Sequence, residues 1–337
     1  MEVAGSPTMH EAASAPGGVP LIDIAPLGRD DRDGQRQVAR SIHRAATEIG
    51  FFYVKGHSIP QDLIDATHLA AKYFFALPEE IKRSIRVTER TAHRGYMPPA
   101  QTRQPGAPRP DNKESFIFAY PFTHDHPAMR DGHPLVGVNQ WLAGEVKWQR
   151  VLERYYDGMR ELGARLLGAV ALSLGLDRHH FDSLYRHPLT RTRLFRYPAT
   201  AGGSEEIPGA AAHTDYGALT LLWQDDVGGL QVRTRDGRWI EAPCIDGTFV
   251  VNIGDMLQRW TNDTFVSTPH RVVNDSGRER FSIATFYDPD HDALVRCLPS
   301  CSTPQNPPRY QPILAGDYIV ERLNRTYAYR QPARAWQ

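Results

Sequence analysis

From Ala210 to Tyr287 the sequence falls into short apolar runs at near-regular spacing, and no other feature limits the fold as much. The runs lie at 210–223, 229–233, 239–242, 248–252, 265–273 and 280–287, with Gly, Asp and Asn between them. Runs of this length, bounded by turn formers and rich in Val, Ile, Thr and Phe, read as β-strands. Strands so closely spaced suggest a sandwich or jelly roll. No internal repeat is visible.

The first half of the chain adds helices to this β pattern. Residues 19–24 form a short apolar run ending near Pro26, and 51–54, Phe-Phe-Tyr-Val, read as a buried strand. Between them Val38, Ile42, Ala45, Ala46 and Ile49 recur at helical spacing until Gly50. The same spacing returns over 62–75, and Pro78-Glu79-Glu80 opens a further short helix. Residues 91–110 and 124–138 read as loops, the first as a lid or binding wall. A strand at 116–120 puts Phe116, Phe118 and Tyr120 on one face. Residues 141–176 carry the longest helical pattern, roughly 50 Å at ~1.5 Å per residue with or without one break, which suits a backing layer for a sheet. Thr190 to Tyr197 alternates as a strand with Arg191, Arg193, Phe195 and Tyr197 on one side. The expected fold class is mainly β with packed helices (α+β). Its divisions are a disordered leader over 1–18, an N-terminal α/β region over 19–140, and a backing helix, jelly roll and C-terminal lid over 141–337, all in one structural unit.

Charge narrows the partners. The chain has 39 basic and 39 acidic residues and a pI near 7.3, so no overall field draws it to nucleic acid or anionic membrane. A small-molecule partner is expected. No stretch approaches the ~20 apolar residues of a membrane span. Met1–Gly18 lacks the basic and apolar regions of a signal peptide. Cys244, Cys297 and Cys301 are too sparse for a disulfide framework, and Cys297-x-x-x-Cys301 lacks the second pair that zinc needs. A cytoplasmic enzyme fits this composition, which is silent on oligomeric state.

Within the β half stands His213-Thr214-Asp215, followed by the apolar run Leu219-Thr220-Leu221-Leu222. Side chains two apart on a strand share a face, so an imidazole and a carboxylate would converge. His270, from a neighbouring strand, could complete a set of two histidines and one carboxylate, the ligand set that leaves one side of Fe(II) open. The bare pair is weak evidence. With 14 histidines and 39 acids in the chain a second His-x-Asp occurs at His180-Phe181-Asp182, but its pattern is that of a helical turn, where residues two apart diverge. Arg280 and Ser282 strengthen the case. They too are two apart on a strand, Asn274-Asp275-Ser276-Gly277 reads as a hairpin turn linking them to the His270 strand, and a guanidinium beside a hydroxyl is a natural carboxylate clamp.

The series His213-x-Asp215, His270, Arg280-x-Ser282 resembles the iron(II)/2-oxoglutarate-dependent oxygenases of the isopenicillin N synthase-like family, in its bacterial branch. Further matches are Glu48-Ile49-Gly50-Phe51-Phe52 with Gly56-His57, Arg94-Gly95-Tyr96, Lys113-Glu114-x-Phe116, 224–231 (Gln-Asp-Asp-Val-Gly-Gly-Leu-Gln) and Val251-Asn252-Ile253-Gly254-Asp255, so the resemblance spans nearly the whole chain. It implies a distorted double-stranded β-helix (jelly roll) core. It also implies Fe(II) on His213, Asp215 and His270, with Arg280 and Ser282 on the distal carboxylate of 2-oxoglutarate and Tyr197 of Arg196-Tyr197-Pro198 assisting. Many members carry Asn where Phe195 stands here. Arg193, on the same strand face, is then the candidate for the metal-proximal carboxylate, as in the ethylene-forming branch that His213-Thr214-Asp215-Tyr216-Gly217 also resembles.

The activity implied is oxidation by O2, most simply hydroxylation of an unactivated C–H of a small molecule, with 2-oxoglutarate converted to succinate and CO2. Phe116, Phe118, Tyr216 and Phe286, the 91–110 loop and the segment after Gly316 are candidates for the substrate wall, with core packing as the alternative for each. Two rivals are an Fe(II) oxidase or cyclase that needs no 2-oxoglutarate, as isopenicillin N synthase behaves, and a non-catalytic jelly-roll binding protein. The substrate is not legible.

Overall fold

The computed structural model describes residues 17–130, 132–199 and 208–331, so the leader expected over 1–18 lies outside the described residues but for its last two. Two sheets face each other. The larger runs, in spatial order, β1 (Leu21–Asp23), β2 (Phe51–Lys55), β10 (Phe249–Ile253), β7 (Leu219–Gln224), β12 (Arg280–Tyr287), β5 (Arg191–Tyr197), β4 (Glu114–Ala119) and β3 (Gly95–Met97). The smaller runs β6 (Ala210–His213), β11 (His270–Val272), β8 (Leu230–Arg233) and β9 (Trp239–Glu241). All neighbours in both sheets are antiparallel except β1 and β2. A β13–β14 ribbon (Leu294–Val295 with Ile313–Leu314) stands apart. This is the expected jelly-roll core with helices outside, and strands from before residue 140 extend its larger sheet.

Alternation along the strands makes two cores. On β12, Phe281, Ile283 and Tyr287 turn to the helices, whereas Ala284 and Phe286 turn to the smaller sheet with Phe195 and Tyr197 of β5. The helix-side core is the larger. It is covered by α1 (Arg32–Glu48), α2 (Gln61–Ala76) and α4 (Val146–Ser173), with the short α3 (Glu79–Ser84) beside them. Asp31 caps α1 through the amide of Gly34. The 28 residues of α4 run unbroken, about 42 Å at ~1.5 Å per residue, burying Leu152, Tyr155, Met159, Leu162, Leu166 and Val170 along one stripe. Among the described residues no helix is long and apolar enough to cross a membrane.

Several expectations are corrected. The run 210–223 is two strands in different sheets, β6 and β7, and 214–218 crosses between them. Glycine suits that crossing at 217, because a Cβ there would run into the buried carboxylate of Asp288, which Arg191 and the amide of Ala218 hold in place. The 274–277 turn does not make a hairpin. Both edges of β12 are taken, by β5 and β7, so the chain passes from β11 into the other sheet. Its bend is held by Asn274, which donates to the carbonyls of Pro198 and Arg278. The predicted strand at 265–273 shrinks to His270–Val272 because the residues before it bond to helices instead of a strand: the amide of Val266 donates to the carbonyl of Ala46 in α1, that of Ser267 to Oε1 of Gln258 in α5 (Asp255–Trp260), and the hydroxyl of Thr268 to the carbonyl of Ile49. β3 lies inside the predicted 91–110 loop, and the C-terminal segment is α6 (Ala315–Thr326).

Phe116 and Phe118, expected as candidates for the substrate wall, belong to the helix-side core. They stand opposite Leu194 and Thr192 of β5, out of phase with Arg193 and Phe195, and are 0% and 1% exposed. Phe116 packs on Phe74 and Trp148 at centroid distances of 4.9 and 5.0 Å.

Candidate active site

The chain leaves β6 and enters β11 at one place. His213 ends β6 and His270 begins β11, and the two are paired in register, so their rings face each other with centroids 4.4 Å apart. Asp215 lies two residues past the end of β6, in the crossing loop rather than on the strand. Its Oδ1 is 3.8 Å from Nε2 of His213 and 3.8 Å from Nε2 of His270. Among the described residues this is the one group of three His, Cys, Asp or Glu side chains whose ligand atoms converge, all within 4.8 Å.

Each ligand candidate is oriented by a second contact. Nδ1 of His213 meets the carbonyl of Ala211 at 2.7 Å, and Nδ1 of His270 meets that of Thr268 at 3.2 Å. A carbonyl can only accept, so Nδ1 carries a proton in both rings, and the tautomer this selects for a neutral ring points the Nε2 lone pair inward. Thr220 and Asn252 donate to Oδ2 of Asp215 at 2.6 and 2.8 Å, which leaves Oδ1 free. The crossing loop is pinned by α5. The amides of Gly254, Asp255 and Met256 donate to the carbonyls of Ala218, Asp215 and Gly217.

Burial pushes the His213 imidazole below its usual range, and nearby His270 pushes it the same way. Burial alone would raise Asp215, but His270, His213 and the hydrogen bonds from Thr220 and Asn252 outweigh it and hold the carboxyl low. Deprotonated donors on one side of a point are what a divalent cation needs. The set fits the Fe(II) facial arrangement.

Two cavities open from these residues. The first lies between the sheets and is lined by His213, Asp215, His270, Tyr197, Arg280 and Ser282, among others. Arg280 is 0% exposed. Its Nε donates to the carbonyl of Gly228 and its Nη2 to Oε1 of Gln224 at 2.9 Å, and its guanidinium lies 4.8 Å from the ring centre of Tyr197. Nη1 is buried without a partner, and no carboxylate is paired with Arg280 among the described residues. A buried guanidinium with an open donor is a receptor for an anion. A dicarboxylate fits this cavity chemically, one end on Arg280 and the other at the metal ligands.

The second cavity shares Lys113, Phe195, His213, Asp215 and Phe286 with the first and adds Arg191, Arg193, Tyr216, Leu323 and Tyr327, among others. Tyr216 and Phe286 line it, and so do residues from the 91–110 loop (Thr102, Gln104) and the C-terminal segment. The hydroxyl of Tyr216 is tied to Thr326 of α6 at 2.7 Å. Roomier grooves exist elsewhere, such as one around His68 and Cys244, but none holds the ligand triad.

Sequence reasoning missed Thr220, Asn252 and Gln224 as orienting residues, although each is a polar side chain interrupting or ending an apolar run, which signals a buried partner. The Arg94-Gly95-Tyr96 and Lys113-Glu114 strings prove to be mainly scaffold. Arg94, 1% exposed, donates to the carbonyls of Tyr120, Gly137 and Leu135, and Glu114 takes hydrogen bonds from Lys82, Tyr96 and Arg196. At the decoy pair it is His179, not His180, that meets Asp182, in the open.

Comparison with known proteins agrees with this geometry. Residues 19–144 match the family model of the N-terminal region of non-haem dioxygenases in morphine synthesis, and 188–289 match that of the 2OG-Fe(II) oxygenase superfamily. The chain is 34% identical over 320 residues to the 2-oxoglutarate-Fe(II) type oxidoreductase hxnY of Emericella nidulans, covering 93% of this chain and 91% of that protein. It is 36% identical over 320 residues to a homoarginine-6-hydroxylase of Oryza sativa, covering 90% and 96%. Among solved structures, a full-length Neurospora crassa protein in complex with alpha-KG and 5-formyluracil superposes with a TM-score of 0.81 at 33% identity, over 93% of this chain and 99% of that one. The chain belongs to the 2OG-Fe(II) oxygenase superfamily and is a 2-oxoglutarate-dependent Fe(II) dioxygenase.

Proposed function

We propose that His213, Asp215 and His270 ligate Fe(II), that Arg280 with Ser282 and Tyr197 binds the distal carboxylate of 2-oxoglutarate, and that the enzyme hydroxylates an unactivated C–H of a small organic molecule. Within the superfamily the motif string supports an isopenicillin N synthase-like enzyme of bacterial type. The observation that carries the reading is the open, buried Nη1 of Arg280 in the same cavity as the triad. The homoarginine-6-hydroxylases among its relatives, and a neighbour bound to alpha-KG and thymine, support hydroxylation of a small molecule.

Bound Fe(II), 2-oxoglutarate and O2 supply the oxidation, in which substrate C–H, 2-oxoglutarate and O2 give the alcohol, succinate and CO2. The protein's share is placement. Hydrogen bonds to Ala211 and Thr268 orient both imidazoles so that their Nε2 atoms would ligate the metal, and Thr220 and Asn252 leave Oδ1 of Asp215 as the third atom that would hold it. Gln224 and Gly228 aim the Arg280 fork along the cavity. Phe195 and Tyr197 wall the co-substrate cavity, with ring centroids 6.0 Å apart. Substrate enters the adjoining cavity, between Tyr216, Phe286 and the α6 residues.

The test is succinate release by purified protein with Fe(II), 2-oxoglutarate and a panel of small metabolites. Substrate-stimulated succinate is expected, and His213→Ala should remove it without unfolding the protein. Substrate-dependent oxygen uptake without succinate would instead identify a 2-oxoglutarate-independent oxidase.

A further inference from the structure

The second cavity holds a cation that is paired with no carboxylate among the described residues. Lys113 is paired with Asp111 at 2.9 Å, and Arg191 with Asp288 at 2.7 Å. Beyond Tyr216, Arg322 is paired with Asp255 at 2.9 Å. Arg193 is different. It is 6% exposed, and its hydrogen bonds go to two neutral groups, from Nε to Oγ of Ser115 at 2.9 Å and from Nη1 to the hydroxyl of Tyr327 at 2.6 Å. Among the described residues no carboxylate is paired with it, and Nη2 has no hydrogen-bond partner. The neighbouring imidazole of His93 adds no charge of its own. Burial first, then Arg191, Arg193, Arg330 and Arg94, hold it well below its usual range, so it is neutral.

We propose that Arg193 binds a carboxylate of the substrate, so that the enzyme's substrate is a small organic acid oxidised at a carbon away from its carboxyl group. The assignment rests on the co-substrate reading above and replaces the expectation that Arg193 holds the metal-proximal end of 2-oxoglutarate. Arg193 lines the cavity of Tyr216, Phe286 and Tyr327, not the one of Arg280 and Ser282. Two stacked rings separate the guanidinium groups. Arg193 lies 4.7 Å from the ring centre of Phe195, Phe195 stacks 6.0 Å from Tyr197, and Tyr197 lies 4.8 Å from Arg280. Each face of this ladder ends in a fork suited to one carboxylate. Because His213 and Asp215 border the second cavity too, an acid anchored on Arg193 lays its hydrocarbon part toward the open side of the metal.

The experiment uses anaerobic full-length protein loaded with Fe(II) and saturating 2-oxoglutarate, whose weak visible charge-transfer band reports the assembled centre. Phenylacetate, 3-phenylpropanoate, cyclohexanecarboxylate and hexanoate are titrated in, each beside its primary amide. At least one acid should perturb the band, with its amide about ten- to hundredfold weaker. Arg193→Gln should bring acid and amide together while leaving 2-oxoglutarate affinity within about threefold, and Arg193→Lys should keep part of the preference. The acid–amide comparison on unmodified protein stands even if a variant misfolds. Failure of the band to form would overturn the co-substrate reading and the proposal with it. A band that forms but ignores every acid, or answers acids and amides alike, overturns the proposal alone. So does a band that acids merely abolish and excess 2-oxoglutarate restores, since that is competition at Arg280, and so does an Arg193→Gln variant that weakens only 2-oxoglutarate.

Discussion

Asn252 donates from Nδ2 to Oδ2 of Asp215 at 2.8 Å, so the carboxylate is fixed by the oxygen that faces away from the two imidazoles. Thr220 grips the same oxygen, and Oδ1 is left equidistant from both Nε2 atoms. Without these donors the carboxylate can rotate about its Cβ–Cγ bond and spend time off the metal. Asn252→Leu or Thr220→Val should therefore weaken Fe(II) or Co(II) binding about ten- to hundredfold in protein that still folds. Metal titration against a competing chelator measures it, and unchanged affinity in both variants would sink the idea.

The aim of Arg280 depends on Gln224 in the same way. On the proposed co-substrate reading, Arg280→Met removes the charge that the distal carboxylate would meet and should cost about 2–5 kcal/mol of co-substrate binding. Gln224→Leu leaves the charge but removes the acceptor of Nη2. Its expected effect is a 2-oxoglutarate KM raised about tenfold, near the ~1.5 kcal/mol of a hydrogen bond to a charged group, with a smaller change in kcat. Steady-state succinate kinetics separate the two constants.

The period-2 and 3.6-residue patterns were legible where burial is one-sided, as in α1, α2 and α4. At β4 they fell short. Ser115, Ile117, Phe116 and Phe118 are all buried, so the alternation shows which residues share a face but not which face meets helices. The crossing at 214–218 was hidden for a related reason, since β6 and β7 look alike in sequence whichever sheet they join. α5 has six residues, too few for a periodic signal, and its apolar Met256, Leu257 and Trp260 pass equally for a strand end. That His213, Asp215, His270 and Arg280 share one neighbourhood was legible, but Asp215 reaches it through loop contacts with Thr220 and Asn252 rather than through strand alternation.

Placing Phe116 in the helix-side core makes a prediction that a wall residue would not obey. Phe116→Ala should destabilise the protein by about 3–5 kcal/mol, because it empties a site packed by Phe74, Trp141 and Trp148. Folded molecules of the variant should keep the substrate KM. Phe286→Ala should do the reverse, changing substrate KM with a smaller loss in urea midpoint. A Phe116 variant with normal stability and a raised substrate KM would return that residue to the site.

His68 sets a pH dependence remote from the chemistry. Its ring packs 4.7 Å from Trp223 and 5.6 Å from Phe281, with Nε2 buried and unpartnered. Burial first, then Lys72, push its pKa down to about 4 from 6.5, against weaker opposition from Asp65 and Asp226. The sign follows from linkage. Between 6.5 and about 4 the unfolded chain binds the proton that folded His68 refuses, so protonation favours unfolding. Above the upper value both states are neutral there and the histidine carries no penalty. Stability should thus be full above 6.5 and fall as pH drops toward 4, with His133, also pushed down to about 4 by burial, adding to the slope. His68→Leu isolates one share, because contributions from His133 and from the metal ligands cancel in the comparison. Urea midpoints for wild type and variant at about pH 7.5 and pH 5 should differ more at the lower pH, in the variant's favour. A difference that stays constant between the two pH values would show that folded His68 takes up its proton as readily as the unfolded chain does.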